Sequence, residues 1–164
     1  MTTKTTTAAP AMLDRAGIAL RIPHSGTMCL LDRLESWTAG EIHCVAHNHT
    51  RADNPLRSAS GLLAPCAIEY AAQAMALHGS LVAPPGTAPS PGYIASVRNV
   101  RFAALRLDAV AGDLQIRATR LAGGANEVMY AFSVSDSAGV ALAEGRAAVV
   151  LDSPLPLPSS ESTP

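Results

Sequence analysis

Glu69 is the one acid in an otherwise apolar stretch, Gly61-Leu62-Leu63-Ala64-Pro65-Cys66-Ala67-Ile68-Glu69-Tyr70-Ala71-Ala72-Gln73-Ala74-Met75-Ala76-Leu77-His78-Gly79. Taking an unpaired carboxyl group out of water is costly and raises its pKa, which prepares it to hand over a proton near neutral pH. Gln73, four residues later, shares a helical face with Glu69 and can hydrogen-bond it. The alternative is that Glu69 pairs with a polar neighbour at a subunit interface. A proton acceptor has to come from elsewhere in the chain, which holds five histidines. His24 follows Pro23, whose fixed φ places it in an ordered turn, and imidazole is suited to taking a proton at neutral pH. His24 is therefore the first candidate base, with anchoring of its own loop as the competing role. His47 and His49 sit just before Asn54 in a polar stretch that reads as solvated loop. His43, His47 and His49 share strand parity, but no acid or cysteine completes a usual metal site, so no metal is expected. His78 lies nine residues beyond Glu69. Along a helix that is roughly 13 Å, too far for a dyad, so His78 is read as structural.

The elements that must position these groups follow from periodicity. Met28 to Trp37 and Glu41 to His47 read as a hairpin around Thr38-Ala39-Gly40, and Leu62 to Leu81 as the only strong helix. Tyr93 to Phe102, Leu114 to Thr119, Val128 to Val134 and Val140 to Leu151 read as four further strands, separated by Gly-rich and Asp-Ser-Ala-Gly turns. Two strands, a helix and four strands make an α+β fold, in which an antiparallel sheet curls around one helix buried on most sides. Alanines 64, 67, 71, 72, 74 and 76 allow the close approach this requires. Open sheet edges make edge-to-edge dimers a natural outcome. Ser60 is the expected N-cap. Gly61 beside it would let a ligand carbonyl approach the free N–H groups of the first turn, as in an oxyanion hole, or would serve packing alone.

The chain has 164 residues, 48% hydrophobic and 15% charged, with a net charge of −1. That bounds one domain, taken as residues 11–152, between a disordered N-terminal segment, 1–10, and a disordered Pro/Ser-rich tail, 153–164. Near-neutral charge gives no general attraction to nucleic acid, and the apolar runs are too short to span a bilayer. No secretory signal is seen at Met1 to Ala9, and three unpaired cysteines suit the cytoplasm, the expected location.

Two motifs then carry a resemblance. Ile22-Pro23-His24-Ser25-Gly26-Thr27-Met28-Cys29-Leu30-Leu31-Asp32-Arg33 resembles the opening motif of hot-dog-fold 3-hydroxyacyl-[acyl-carrier-protein] dehydratases, and Ile68-Glu69-Tyr70-Ala71-Ala72-Gln73-Ala74 resembles their central-helix motif. Ile94 to Phe102 is similar to the strand that follows the helix in those enzymes, and the nearest types are the dehydratases of aryl polyene and related polyketide-like clusters. The resemblance implies a hot-dog dimer and a hydro-lyase that removes water from a 3-hydroxyacyl thioester. It implies no cofactor beyond the phosphopantetheine of an acyl carrier protein. Glu69 takes the place of the family's helical acid. The family's Gly-His-Phe-Pro-Gly stretch is replaced by Asn54-Pro55-Leu56-Arg57-Ser58-Ala59-Ser60-Gly61, without a histidine, so either another histidine supplies the base, His24 being the first candidate, or the chain has lost dehydration and kept a binding role. Gly61, Leu62, Asn54, Gln73 and Phe102 are the candidate substrate contacts. Ile94, Val100 and Met75 join Leu62 and Phe102 as candidate tunnel walls. Arg98 and Arg101, with Arg106, are candidates for docking an acidic carrier, although strand alternation would put Arg98 and Arg101 on opposite faces. Two other functions fit the same residues: a hot-dog thioesterase, with Glu69 activating water, and a non-catalytic subunit that partners an active hot-dog dehydratase.

Overall fold

The computed structural model describes residues 12–87 and 92–151; the expected terminal segments lie outside them. A short helix α1 (Arg15–Ala19) leads into β1 (Arg33–Trp37) and β2 (Glu41–Ala46), then the long helix α2 (Ala67–Val82). Strands β3 (Gly92–Phe102), β4 (Leu114–Gly123), β5 (Glu127–Ser135) and β6 (Ala141–Leu151) complete the chain. All six strands form one antiparallel sheet in the order β1-β2-β4-β5-β6-β3, with β1 and β3 at the edges. The expected α+β arrangement and strand count are those observed.

The sheet wraps α2 on one side only. Ala67, Tyr70, Ala71, Ala74 and Leu77 are fully buried against Ile42, Cys44, Leu114, Ile116 and Val134. These helix positions recur at the three- and four-residue spacing of a single face. Ile68, Glu69, Ala72, Ala76, Gly79 and Ser80 lie on the other side and are only partly covered or exposed. The helix is thus less enclosed than its composition suggests, and Glu69 sits at the edge of the buried face.

Both ends of the expected helix shift for identifiable reasons. Leu63 is extended and bridges Arg106, because the backbone on either side of it pairs with the segment after β3. Leu107 N donates to Leu62 O (2.8 Å), and Ala64 N donates to Leu105 O (3.0 Å). A 3-10 turn with Pro65 then leads into Ala67, and Cys66, not Ser60, is the N-cap, without a side-chain bond. Gly61 accordingly is not at the helix start. Its φ is +94°, and a Cβ there would come within 2.6 Å of Arg106 Nη2. Glycine is required there by the backbone conformation, and the Arg106–Asp108 pair passes close against it. At the other end, Ala83 is extended ahead of Pro84, as the residue before proline tends to be.

β1 begins five residues later than expected. Met28 closes a 3-10 turn, and the backbone of Met28 and Leu30 is taken by the side chain of Gln73 on α2 in place of a neighbouring strand. The edge strand β3 also departs from simple alternation. Arg98 pairs with Arg146 and Arg101 with Glu144, so three steps on β3 match two on β6. Asn99, at φ +53°, takes up the extra residue, in a conformation asparagine tolerates better than most. Arg98 and Arg101 therefore share a face, contrary to the alternation argument.

Candidate functional site

The loop from Arg21 to Met28 brings His24 over the first turn of α2. Ile22 is buried beneath it, and Arg15 ties it down by donating to Asp32 Oδ1 (3.0 Å) and to Gly26 O (3.5 Å). His24 Nε2 then lies 3.0 Å from Glu69 Oε1, with both side chains about a third exposed, at 27% and 34%. Glu69 is therefore at the edge of a cavity and is not the fully buried acid its apolar neighbours suggest. The same Oε1 accepts from Gln73 Nε2 at 3.1 Å. Gln73 is fully buried, also donates to Met28 O (2.8 Å), and accepts from Leu30 N (2.8 Å). One amide thus locks the carboxyl group on α2 to the loop that carries the imidazole. The other ring nitrogen, Nδ1, is enclosed and, among the described residues, without a hydrogen-bond partner, so Nε2 is the nitrogen that faces Glu69.

The pair opens onto a cavity of about 510 Å³. Its walls are the uncovered face of α2, through Met75, Ala76 and Gly79, and the β3, β5 and β6 residues Ile94, Tyr130 and Val149. Apart from Arg21, His24 and Glu69 at one end, the lining is mostly apolar or small. The pattern is that of a ligand site with a few convergent polar groups.

Other expected site residues are placed elsewhere. Asn54 is buried beside Tyr70: its Nδ2 donates to Tyr70 OH (3.0 Å) and Asn48 O (3.1 Å), while Tyr70 OH donates to Asn48 Oδ1 (2.7 Å). Leu56 N donates to Asn54 Oδ1 (2.9 Å), so the Asn54 amide is fully engaged in the framework. Leu62 is buried in the core, and Phe102 and Val100 do not line the cavity, whereas Ile94 and Met75 do. What the sequence reading missed is the far wall, Gly79, Ser80, Tyr130, Val149 and Leu151. The spacing of 72, 76, 79 and 80 on the Glu69 face of α2 is the local signal for part of it.

The remaining histidines separate clearly. His49 is buried, not solvated, and its Nε2 donates to Val110 O at 3.0 Å. His47 is mostly exposed, and its backbone N–H and its Nδ1 both meet Asp32 Oδ2 (2.7 and 3.1 Å). His43 is bonded to Gln115 Oε1 (2.7 Å). None of the three lines the cavity, and among the described residues no group of His, Cys, Asp or Glu is arranged to hold a metal ion. His78 is structural, as expected. Its Nε2 donates to Thr38 O (2.8 Å), so Nδ1 accepts from Tyr130 OH (2.8 Å). Burial holds the His78 pKa below its ordinary value and pushes the Tyr130 hydroxyl up to about 12. Among the described residues no helix is long and apolar enough to cross a membrane.

Comparison with known proteins bears on family and fold. The sequence model of a family described as ApeP-like, ApeP dehydratase, matches residues 17–155. No curated protein matches the chain. Among solved structures, the dehydratase heterocomplex ApeI:P from Xenorhabdus doucetiae superposes with a TM-score of 0.73 at 22% identity, over 82% of this chain and 90% of that one. A thioesterase from Haemophilus influenzae gives 0.60 at 14% identity, over 85% and 90%. AziG from S. sahachiroi gives 0.55 at 18% identity, over 72% and 88%. At these identities the structural likeness speaks for the hot-dog fold alone.

Proposed function

The chain belongs to the ApeP-like dehydratase family, and from that premise we propose that it is a hydro-lyase acting on a 3-hydroxyacyl thioester carried by an acyl carrier protein, with His24 as base and Glu69 as acid. The observation that carries this reading is the 3.0 Å contact between His24 Nε2 and Glu69 Oε1 at the polar end of an apolar cavity. In the reaction, the C2 proton goes to His24 Nε2 and the protonated carboxyl group of Glu69 gives its proton to the C3 hydroxyl. The C3–O bond breaks, the C2–C3 double bond forms, and water leaves. Proton transfer from imidazolium back to carboxylate across the same contact restores the pair. Gln73 positions Glu69 throughout and does not itself react.

The protein acts, in this reading, within a hot-dog oligomer. The chain lacks the Gly-His-Phe-Pro-Gly stretch, and ApeI:P is a dehydratase heterocomplex, which together favour assembly with a second hot-dog dehydratase. The test is mass spectrometry of carrier-bound products after incubation with a 3-hydroxyacyl carrier protein, with and without such a partner. Enoyl product is expected, reduced by about 10²- to 10⁴-fold in Glu69→Gln and in His24→Ala, the range for loss of a general acid or base. Enoyl formation that persists in Glu69→Gln removes Glu69 as the acid. Free acid in place of enoyl product identifies a thioesterase. Enoyl product that needs the partner and ignores both substitutions assigns this chain a supporting role.

A further inference from the structure

We propose that Gly79 keeps the far part of the cavity open and thereby selects a long, extended apolar acyl chain, an inference that rests on the thioester reading of the His24–Glu69 end. Gly79 lies inside α2 with ordinary helical backbone, so no turn or positive φ calls for it. Nor does packing: among the described residues, a Cβ built at Gly79 meets nothing within 4 Å. A glycine weakens a helix relative to alanine, so one that serves neither conformation nor contact is explained by the space it leaves. That space belongs to the cavity, since Gly79 lines it together with Ala76, Tyr130 and Val149.

The geometry gives the ligand a length as well as a polarity. Glu69 to Gly79 spans ten residues of α2, roughly 15 Å along the axis. An extended chain advances roughly 1.2 Å per bond, so about twelve bonds fit between the acid and Gly79. Ala83, Thr87 and Leu151 continue the lining beyond that point. A short acyl group would leave this far part unfilled, whereas a long one would cover the apolar side chains facing it, each buried methylene adding roughly fourfold in affinity.

The experiment compares binding of 3-hydroxybutanoyl and 3-hydroxytetradecanoyl pantetheine to the wild-type protein, Gly79→Ala and Gly79→Leu by calorimetry, with enoyl formation followed in parallel. The wild type is expected to favour the long chain. Gly79→Leu is expected to weaken the long chain on the order of a hundredfold and the short one by less than about twofold, with Gly79→Ala between. Equal losses for both chains, no loss for either, or a change in oligomeric mass on substitution overturns the proposal, the last because Gly79 would then serve contact with another subunit. Gly79→Ala keeps the test available should the leucine variant fail to fold. Length-selective binding without enoyl product, even beside a dehydratase partner, leaves the role of Gly79 standing and removes the hydro-lyase reading. Enoyl formation whose chain-length profile ignores the substitutions does the reverse.

Discussion

Gln73 commits its whole amide to three partners: it donates to Met28 O and Glu69 Oε1 and accepts from Leu30 N. The loop that presents His24 is thereby held to the helix that presents Glu69, and that amide holds the two side chains at their spacing. Replacing Gln73 with methionine preserves size but leaves a backbone carbonyl and a backbone N–H without partners, about 1–3 kcal/mol for each if both stay buried. Gln73→Met is therefore expected to lower stability in urea titration by a few kcal/mol, and to lower kcat more than KM because Glu69 loses its fixed orientation. An unchanged kcat in a folded Gln73→Met protein would show that Glu69 needs no such support. At this scale the sequence was partly readable. Glu69 and Gln73 are four apart, and Pro23 marks the turn before His24, all local signals. The bonds from Gln73 to Leu30 and Met28 join residues 43 and 45 positions apart, and no periodicity encodes such a contact. Asn54 was misread for the same reason: its partners Asn48 and Tyr70 meet only in the folded chain.

On α2 the two faces do different work, and substitutions should separate them. Gly79 faces open space, so Gly79→Ala is expected to raise stability by about 0.5–1 kcal/mol through helix propensity, read as a higher urea midpoint. His78 faces inward, with Tyr130 OH on one nitrogen, Thr38 O on the other and the Arg120 charge nearby. Burial depresses its folded-state pKa below the unfolded value of about 6.5. The unfolded chain then takes up a proton that the folded chain refuses, so the stabilising effect is complete above about pH 6.5 and is lost as the pH falls toward the folded-state value. Melting temperatures measured from neutral to mildly acidic pH should fall more steeply for the wild type than for His78→Gln, which is less stable but cannot titrate. Parallel curves would mean that His78 titrates alike folded and unfolded. The helix body was legible from its apolar spacing and its end from Pro84. Its start was not, because residues 62–64 pair with 105–107, and that bridge outweighs the helical preference of Leu62 and Leu63.

The whole molecule carries a net charge of only −1, so attraction to an acidic carrier has to be local. β3 offers a candidate surface for the proposed carrier, because the bulge at Asn99 returns Arg101 to the face of Arg98, where both stand in register with β6 residues Arg146 and Glu144. Three guanidinium groups and one carboxylate on a single outer face leave that face basic. The strand's free edge is a separate surface: backbone pairing with another subunit uses the unpaired N–H and C=O groups of the edge, while side chains normal to the sheet remain available. Carrier docking and assembly should therefore respond to different substitutions. The pair Arg98→Glu and Arg101→Glu is expected to raise KM for carrier-bound substrate by about tenfold at low salt, to leave kcat and the KM for a pantetheine thioester unchanged, and to lose most of its effect near 1 M salt, where charges are screened beyond about 3 Å. Mass measured by light scattering should not move. If instead the doubly substituted protein changes mass while its carrier KM holds, the arginines belong to a subunit contact, and the carrier must approach the His24 end of the cavity from another side.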